Sequence, residues 1–288
     1  MKINKLTLNS PDYPPRLRHI PAKPKVLFHI GAPLNDLLKR KAVAIVGTRR
    51  ISIYGEQVTR RFAKELAEQG VVIVSGLALG VDGMAHRAAL EAGGLCIAVL
   101  PCPLDKIVPA NNRRLAQSIL DQGGALVSEY PPGEHPVKQY FIARNRIMSG
   151  LADAVLITEA GAKSGARHTA DFAIKQGRDI MAVPGNITNI GSVTVNNLIK
   201  TSNASAVTEP KDVLHVLGLE SHTTNAKQVK GSNANEQRLL DLMLEGITDG
   251  EQLLEHSGLK IELFNQALTM LEIGGKVRPL GLNNWAIF

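Results

Sequence analysis

The sequence has few aromatic residues, only two cysteines and no long apolar run. Aromatic side chains make up 4% of the 288 residues, so a ring beside a possible site carries more weight than usual. No apolar stretch approaches the roughly 20 residues that cross a bilayer. The opening MKINKLTLNSPDYPP lacks the apolar core of a signal peptide. We therefore expect a cytoplasmic protein with no membrane partner.

Patterns of metal-ligating residues are also missing. Five residues separate Cys96 from Cys102, a spacing that fits neither a zinc knuckle nor a C-x-x-C redox pair. None of the eight histidines has a second histidine four residues later, as a helical zinc site would. Asp82, Glu129 and Glu159 are single acids rather than the clustered carboxylates of a metal-dependent nuclease. We expect buried free thiols and neither a metal nor a cofactor.

Positive charge is abundant, and it is unevenly distributed. The formal net charge is +7, yet residues 236–288 hold eight acidic and four basic side chains, a charge of −4, which leaves +11 for the rest. Residues 219–235 lack periodic apolar positions and are typical of a polar linker. We expect a basic domain at 41–218, a packed extension at 1–40, and a small acidic domain at 236–288. The basic domain points to an anionic partner.

The large domain alternates short apolar runs with helical patterns. The runs are mostly continuous rather than alternating, as expected for parallel strands buried on both faces. They lie at residues 42–47, 71–76, 96–101, 125–130, 154–159 and 179–185. Six such units with right-handed crossovers predict an α/β fold, an extended Rossmann-like, doubly wound and mostly parallel sheet. Ligands of such sheets bind at the carboxyl ends of the strands.

The end of the first of these strands, VAIVGTRR, is unusual for a nucleotide site. A dinucleotide site needs G-x-G-x-x-G so that backbone amides can reach a pyrophosphate. Here Gly47 is followed by Thr48, Arg49 and Arg50, and the next glycine is Gly55. The two guanidinium groups suit an anion that arrives at the surface.

A second basic cluster follows the fourth strand, in HPVKQYFIARNR. It places Lys138, Phe141, Arg144 and Arg146 within nine residues. Cations for phosphates and a flat ring for a base are the components of a nucleic-acid surface. The alternative is that Phe141 and Met148 are core residues of a helix whose arginines only solvate its other face. For Arg146 alone the two interpretations stay equally open.

Five motifs in order resemble the DprA/Smf family of DNA-processing proteins. They are VAIVGTRR, SGLALGVD, FIARNRIMSGLA, TEAGAKSGARHTADFA with QGRDIMAVPG, and GSVTVNNLIKTSNA. The resemblance covers roughly residues 10–220. It implies a single-stranded DNA-binding protein, usually a homodimer, that protects incoming DNA and loads a RecA-type recombinase in natural transformation.

The resemblance also implies which residues bind DNA. The family's glycine-rich turn falls on Gly47 and Arg49, its F-P-x-R-N-R stretch on residues 141–146, and its S-G-S loop on residues 164–166. Together with neighbouring cations and polar residues, the expected single-stranded DNA site contains Gly47, Thr48, Arg49, Arg50, Lys138, Phe141, Arg144, Asn145, Arg146, Lys163, Ser164, Gly165 and Arg167.

The chain departs from the family pattern at several positions. Ile142 stands where proline is usual, and Ala166 replaces a serine whose hydroxyl could meet a phosphate. Arg167 and His168 replace a mostly apolar or small pair, which adds charge beside the same loop. The family's Q-G-A sequence before its last strand is replaced around Thr201–Ala204. None of these changes removes the expected basic cluster.

An enzyme of another class is the alternative. Rossmann-like enzymes that hydrolyse nucleotide N-glycosidic bonds use a carboxylate at a strand end, for which Glu159 is the candidate. Those enzymes pair it with a G-G-x-G-T-x-x-E loop, whereas EAGAKSGARHTAD places the acid before the glycines. The single-stranded DNA-binding interpretation is therefore preferred.

The acidic C-terminal region has the pattern of a winged helix. Three helical segments precede the hairpin-like VRPLGLNNWAIF, and the DprA family often carries such a domain. Winged helices commonly read duplex DNA with the third helix. Here that helix, residues 261–273, has no Lys or Arg and contains Glu262 and Glu272. We therefore do not expect it to bind a duplex.

Overall fold

The protein has two compact units, Met1–His222 and Thr223–Phe288. A computed structural model describes residues 2–219, 231–281 and 283–287. Most of the predicted linker, residues 220–230, lies outside the described residues. Within the described residues, no helix is both long enough and apolar enough to cross a membrane.

The first unit is built on a sheet that contains all six predicted parallel strands. Each strand is buried on both faces, which explains the continuous aliphatic and β-branched sequence. The strands are β3 (Ala42–Val46), β4 (Val72–Ser75), β5 (Cys96–Leu100), β6 (Ala125–Ser128), β7 (Ala154–Ile157) and β8 (Asp179–Ala182). The predicted Rossmann-like class is confirmed.

The strand order creates a topological switch beside β3. In the described residues the strands of the sheet lie in the order β1 (Asn4–Thr7), β2 (Val26–Gly31), β6, β5, β4, β3, β7, β8 and β9 (Ser205–Ala206). The chain thus moves outward from β3 to β6 and then returns to the other side of β3. The carboxyl ends of β3 and β7 are therefore neighbours. Doubly wound sheets open a crevice at this point, and it is here that they bind ligands.

Helices cover both faces of the sheet. Ser52 caps the longest one, its hydroxyl accepting a hydrogen bond from the Gly55 amide at 3.0 Å. The helices of this unit that follow β3 are α3 (Ile53–Glu68), α4 (Val81–Glu91), α5 (Arg113–Asp121), α6 (Lys138–Ala143), α7 (Asn145–Leu151), α8 (Ala166–Lys175), α9 (Val193–Lys200) and α10 (Pro210–Val216). Their apolar sides form two cores, one on each face of the sheet.

The sequence analysis did not predict three strands at the edges of the sheet. The strand β2 (Val26–Gly31) pairs with β6 in antiparallel orientation, and β1 (Asn4–Thr7) pairs with β2 in the same way. At the other edge, the two-residue β9 (Ser205–Ala206) pairs with β8. Two short helices, α1 (Pro15–Arg18) and α2 (Leu34–Leu37), complete the N-terminal segment. The first 40 residues thus contribute strands to the sheet rather than only packing on it.

Buried groups fix this N-terminal segment in place. The side chains of Tyr13 and Leu17 are fully buried. Arg16 donates hydrogen bonds to the Leu151 carbonyl at 3.0 Å and to the Asp153 carboxylate at 2.9 Å. The same Asp153 oxygen accepts the Ala42 amide at 2.8 Å, which ties the segment to the start of β3.

Both cysteines are free and buried in the first unit. Burial raises the pKa of the Cys96 and Cys102 thiols, because a thiolate would lose its hydration there. They therefore behave as small apolar core residues.

The second unit consists of three helices and a hairpin, as predicted. They are α11 (Ala234–Leu244), α12 (Gly250–Ser257), α13 (Ile261–Ile273), β10 (Val277–Gly281) and β11 (Asn284–Ile287). Leu239, Leu240 and Leu271 are fully buried in a core of this unit's own. The helix α11 begins at Ala234 behind an Asn233 cap, so it includes the last two residues of the predicted linker.

Candidate nucleic-acid interface

A cavity of about 730 Å³ opens at the switch point of the sheet. The loops after β3 and β7, the α6–α7 region and a turn near residue 190 surround it. Its lining residues from the predicted site are Gly47, Thr48, Arg49, Arg50, Phe141, Arg144, Asn145, Lys163, Ser164 and Gly165. With Ala78 and Asp82, which lie in the segment from the end of β4 to the first turn of α4 and also line the cavity, five separate sequence segments meet at one place.

Close packing at Gly47 sets the position of the loop after β3. A Cβ atom on Gly47 would lie 2.5 Å from the Val81 side chain and 2.6 Å from the Glu159 carbonyl oxygen. Thr48 donates its amide to that Glu159 oxygen at 2.8 Å, and its own carbonyl accepts the Val81 amide at 3.1 Å. The loop is thus held between β7 and α4, and the next two residues extend into solvent.

Arg49 and Phe141 form the central contact of the cavity. The Arg49 guanidinium lies over the Phe141 ring, 5.2 Å from its centroid, within the range of a cation–π interaction. Both Arg49 and Arg50 are exposed, and Phe141 is half-buried. One interpretation of the sequence made both Phe141 and Met148 core residues. Met148 is buried, but Phe141 is not a core residue.

Arg144 lies in the wall of the cavity but not as an exposed cation. Its side chain is 4% exposed and donates hydrogen bonds to the carbonyls of Gly76, at 2.7 Å, and Val99. Burial lowers the pKa of Arg144, and the nearby Asp82 opposes that shift. Arg144 is therefore not an exposed cation, because one of its terminal nitrogens already donates to these two carbonyls, and its contact with DNA stays a prediction.

Asp82 is the acidic counterpart of Arg144. It is buried, and its carboxylate accepts the Gly76 amide at 3.1 Å. Burial raises the pKa of Asp82, while Arg144 and the backbone amides of Ala78 and Gly76 act in the opposite direction. His86, on the same helix, is fully buried, and burial lowers its pKa to about 3, so its ring is neutral at pH 7.

Arg146 lies outside the cavity. One of its terminal nitrogens donates to both oxygens of Glu129 at 2.7 Å, and the side chain is buried. Of the two interpretations of Arg146, the structure favours a structural role, because Glu129 pairs with its charge; its contact with DNA stays a prediction. Lys138, at the start of α6, and Arg167, in α8, are exposed but do not line the cavity.

The loop after β7 supplies polar groups on the opposite wall. Ser164 accepts the Ala166 amide at 3.3 Å, and Asn145 donates to the Gly165 carbonyl at 3.4 Å. Lys163 is exposed at the same edge. Of the departures from the family pattern, Ile142 is exposed and lines the cavity, and Ala166 is buried at the start of α8.

The sequence analysis missed several lining residues, including Asp82, Met148, Thr169, Ile190 and Gly191. Asp82 had a usable signal, because it follows a strand end in SGLALGVD. Ile190 and Gly191 lie in a loop without charged or aromatic side chains, so nothing in their chemistry marked them.

Glu159 does not line the cavity. Its side chain is 3% exposed, and its carboxylate accepts the Ser52 amide at 2.9 Å. Gly55 and Gly191 lie on either side of the two carboxylate oxygens. The carboxylate thus supports neighbouring loops and does not face a ligand. In the described residues no three His, Cys, Asp or Glu side chains form a group that could hold a metal ion.

Comparison with known proteins identifies the family. Residues 4–218 match the family described as DNA recombination-mediator protein A, and residues 224–281 match the DprA winged helix domain. The chain belongs to the DprA/Smf family. The second match also confirms that the C-terminal unit is a winged helix.

Several members of the family are well matched. Protein Smf of Escherichia coli is 46% identical over 74% of this chain, which spans only 56% of that longer protein. The DNA processing protein DprA of Streptococcus pneumoniae is 43% identical, with 70% of each chain covered. A solved DprA structure from Helicobacter pylori, reported for its single-stranded DNA binding mode, is 34% identical with a TM-score of 0.67. It covers 75% of this chain and 95% of its own.

Arg144 is expected to support folding more than it contacts a ligand. The Arg144→Ala variant should lose about 1–3 kcal/mol of unfolding free energy, because it leaves the buried Gly76 and Val99 carbonyls without their donor and removes a charge that opposes the effect of burial on Asp82. The exposed Arg50→Ala should change stability by less than about 0.5 kcal/mol. Chemical denaturation followed by circular dichroism measures both.

The stability of the Arg144→Ala variant should fall as the pH rises, because burial raises the pKa of Asp82. When burial raises the pKa of a carboxyl, the folded protein is most stable with that group protonated, and the free energy of unfolding falls as the pH rises. Without Arg144 this effect on Asp82 increases, so lowering the pH toward the ordinary pKa range of Asp should recover part of the loss. A deficit that is independent of pH would contradict the pairing of Arg144 with Asp82.

Proposed function

We propose that the first unit binds single-stranded DNA in the cavity at the switch point. The observation that carries the proposal is the Arg49–Phe141 pair of the cavity lining, in which an exposed guanidinium lies over a half-buried ring, 5.2 Å from the ring centroid. Single strands present phosphates and unstacked bases at every nucleotide, and both groups find partners here.

The surrounding charge supports the proposal. Arg49, Arg50 and Lys163 are exposed cavity residues, and the acids close to them, Asp82 and Glu159, are buried. Lys138 and Arg167 are exposed beyond the lining and can attract the strand as it leaves. A phosphate therefore approaches cations without facing a free carboxylate from the cavity wall.

A nucleotide hydrolase is not favoured. The carboxylate that such an enzyme would need, Glu159, is buried, bonded to the Ser52 amide and outside the cavity lining. We infer a role in binding and recombination rather than in catalysis.

The biological role follows from membership of the family. We propose that the protein holds and protects incoming single-stranded DNA and transfers it to a RecA-type recombinase during natural transformation. We further propose that it acts as a homodimer in the cytoplasm. The matches to proteins named DNA processing protein DprA support the proposed role in handling DNA. The structure from H. pylori, reported for its single-stranded DNA binding mode, supports single-stranded DNA as the ligand.

The winged helix is proposed to contact protein rather than DNA. Its third helix exposes Ile261, Met270 and Ile273 beside the acids Glu262 and Glu272. Such a face repels a phosphate backbone and releases no counterions on binding. Exposed apolar groups rimmed by charge are typical of a protein contact.

Comparison of single- and double-stranded oligonucleotides over a salt series tests the proposal. The single strand should bind more tightly, and log affinity should fall with log salt at about −0.7 per phosphate contacted. Fluorescence anisotropy measures both. Equal affinity for a duplex, or an affinity independent of salt, would overturn the proposal.

Substitutions at the central pair should separate charge from stacking. Arg49→Glu should weaken binding strongly and reduce the salt slope, because it replaces an attraction with a repulsion; Lys138→Glu should act in the same direction. Phe141→Ala should weaken binding by about 1–3 kcal/mol with little change in slope. If Phe141→Ala lowers the melting temperature and leaves binding intact, the ring is structural.

Removal of the winged helix should leave affinity for short single strands unchanged. The first unit contains its own cores, so a chain that ends near residue 220 should fold. Dissociation constants of the full-length and shortened proteins are measured on one oligonucleotide at one salt concentration. A tenfold loss, about 1.4 kcal/mol, in a folded shortened protein would show that the acidic unit touches DNA.

A further inference from the structure

A group of exposed apolar side chains lies at and beside the part of the cavity that Ile190 lines. Ile53, Ile187 and Ile190 are 79%, 90% and 80% exposed, and Tyr54 is also exposed. These four residues are called the apolar rim. Such high exposure is unfavourable for isoleucine in water, so a ligand that covers the rim would gain from the hydrophobic effect.

The members of the rim come from two segments that hydrogen bonds and close packing hold together. The Tyr54 hydroxyl donates to the Pro184 carbonyl at 2.7 Å, which joins the start of α3 to the chain after β8. Gly55 and Gly191 both lie against the carboxylate of Glu159. The first turn of α3 and the turn at residues 190–192 are therefore neighbours.

The rim is continuous with the cavity. Ile190 and Gly191 belong to the cavity lining, while Ile187, Ile53 and Tyr54 lie beyond it. Arg50 and Lys163, which also line the cavity, are exposed cations. The surface that leaves the cavity in this direction thus combines apolar groups with positive charge.

We propose that the apolar rim is a second contact surface for the same single strand, and that it receives a nucleobase after the strand leaves the cavity. This inference rests on the proposed function. A single strand carries apolar base faces and phosphate anions along one chain, and the rim and its neighbouring cations offer the complement of both. A protein partner has no comparable requirement for cations beside every apolar contact.

The test uses a series of thymidine oligonucleotides that lengthens by one nucleotide at a time. For the wild type, affinity should rise in a further step once the strand is long enough to reach the rim. In Ile53→Ser combined with Ile187→Ser, two rim residues outside the cavity lining, short strands should bind as in the wild type. Longer strands should bind roughly fivefold more weakly, because the serines remove apolar surface that a base would otherwise cover.

The chain offers a matched control and a direct reporter. Ile174, on α8, is also exposed but is not a cavity residue, so Ile174→Ser should change binding at no length. Ile187→Trp in a Trp285→Phe background places the only tryptophan on the rim. Its fluorescence should be quenched by the longer strands and not by the shorter ones.

The outcomes distinguish this inference from the function on which it rests. If the wild type binds no single strand, the proposed function fails. If it binds and depends on Arg49, but the rim substitutions act at no length, only the rim proposal is overturned. If the rim substitutions instead change the oligomeric state without DNA and leave affinity intact, the rim contacts protein and the proposal is wrong.

Discussion

The site depends on the close contact between the loop after β3 and the end of β7. The Thr48 amide reaches the Glu159 carbonyl at 2.8 Å only because Gly47 has no Cβ. From that contact follow the exposed positions of Arg49 and Arg50. The side chain of Glu159 holds the Ser52 amide, so one residue positions both the loop and the start of α3.

Arg144 and Arg146, from one motif, show that a cluster of basic residues in the sequence need not be a cluster of exposed cations in the structure. Arg144 and Arg146 have the chemistry of phosphate ligands, but each is buried and each has a partner in the protein. A buried guanidinium is costly unless it is paired, and the Gly76 and Val99 carbonyls and Glu129 supply acceptors here, although one terminal nitrogen of Arg146 is buried without a partner. The exposed cations of the cavity are instead Arg49 and Arg50, which follow Gly47, and Lys163.

The sequence predicted the parallel strands and much of the site because both rest on local signals. Continuous aliphatic runs identify strands buried on both faces, and the ends of those strands meet at one edge. The strands β1 and β2 were not predicted, because β2 joins the sheet by pairing with the distant β6 and β1 is attached only through β2. The burial of Arg144 could not be predicted either, since it depends on the positions of Gly76, directly after β4, and Val99, on β5.

The short helix α6 buries none of its residues, yet it is fixed on both sides of Phe141. Tyr140 stacks on Tyr130 with ring centroids 3.7 Å apart, and Arg144 follows the helix as a buried anchor. This restriction reduces the conformational entropy that the protein loses when it binds a ligand. A freely moving side chain loses about 0.5–1.5 kcal/mol when a ligand immobilises it. Here folding has already restricted the helix that carries the ring, so less conformational freedom remains to be lost when a base arrives.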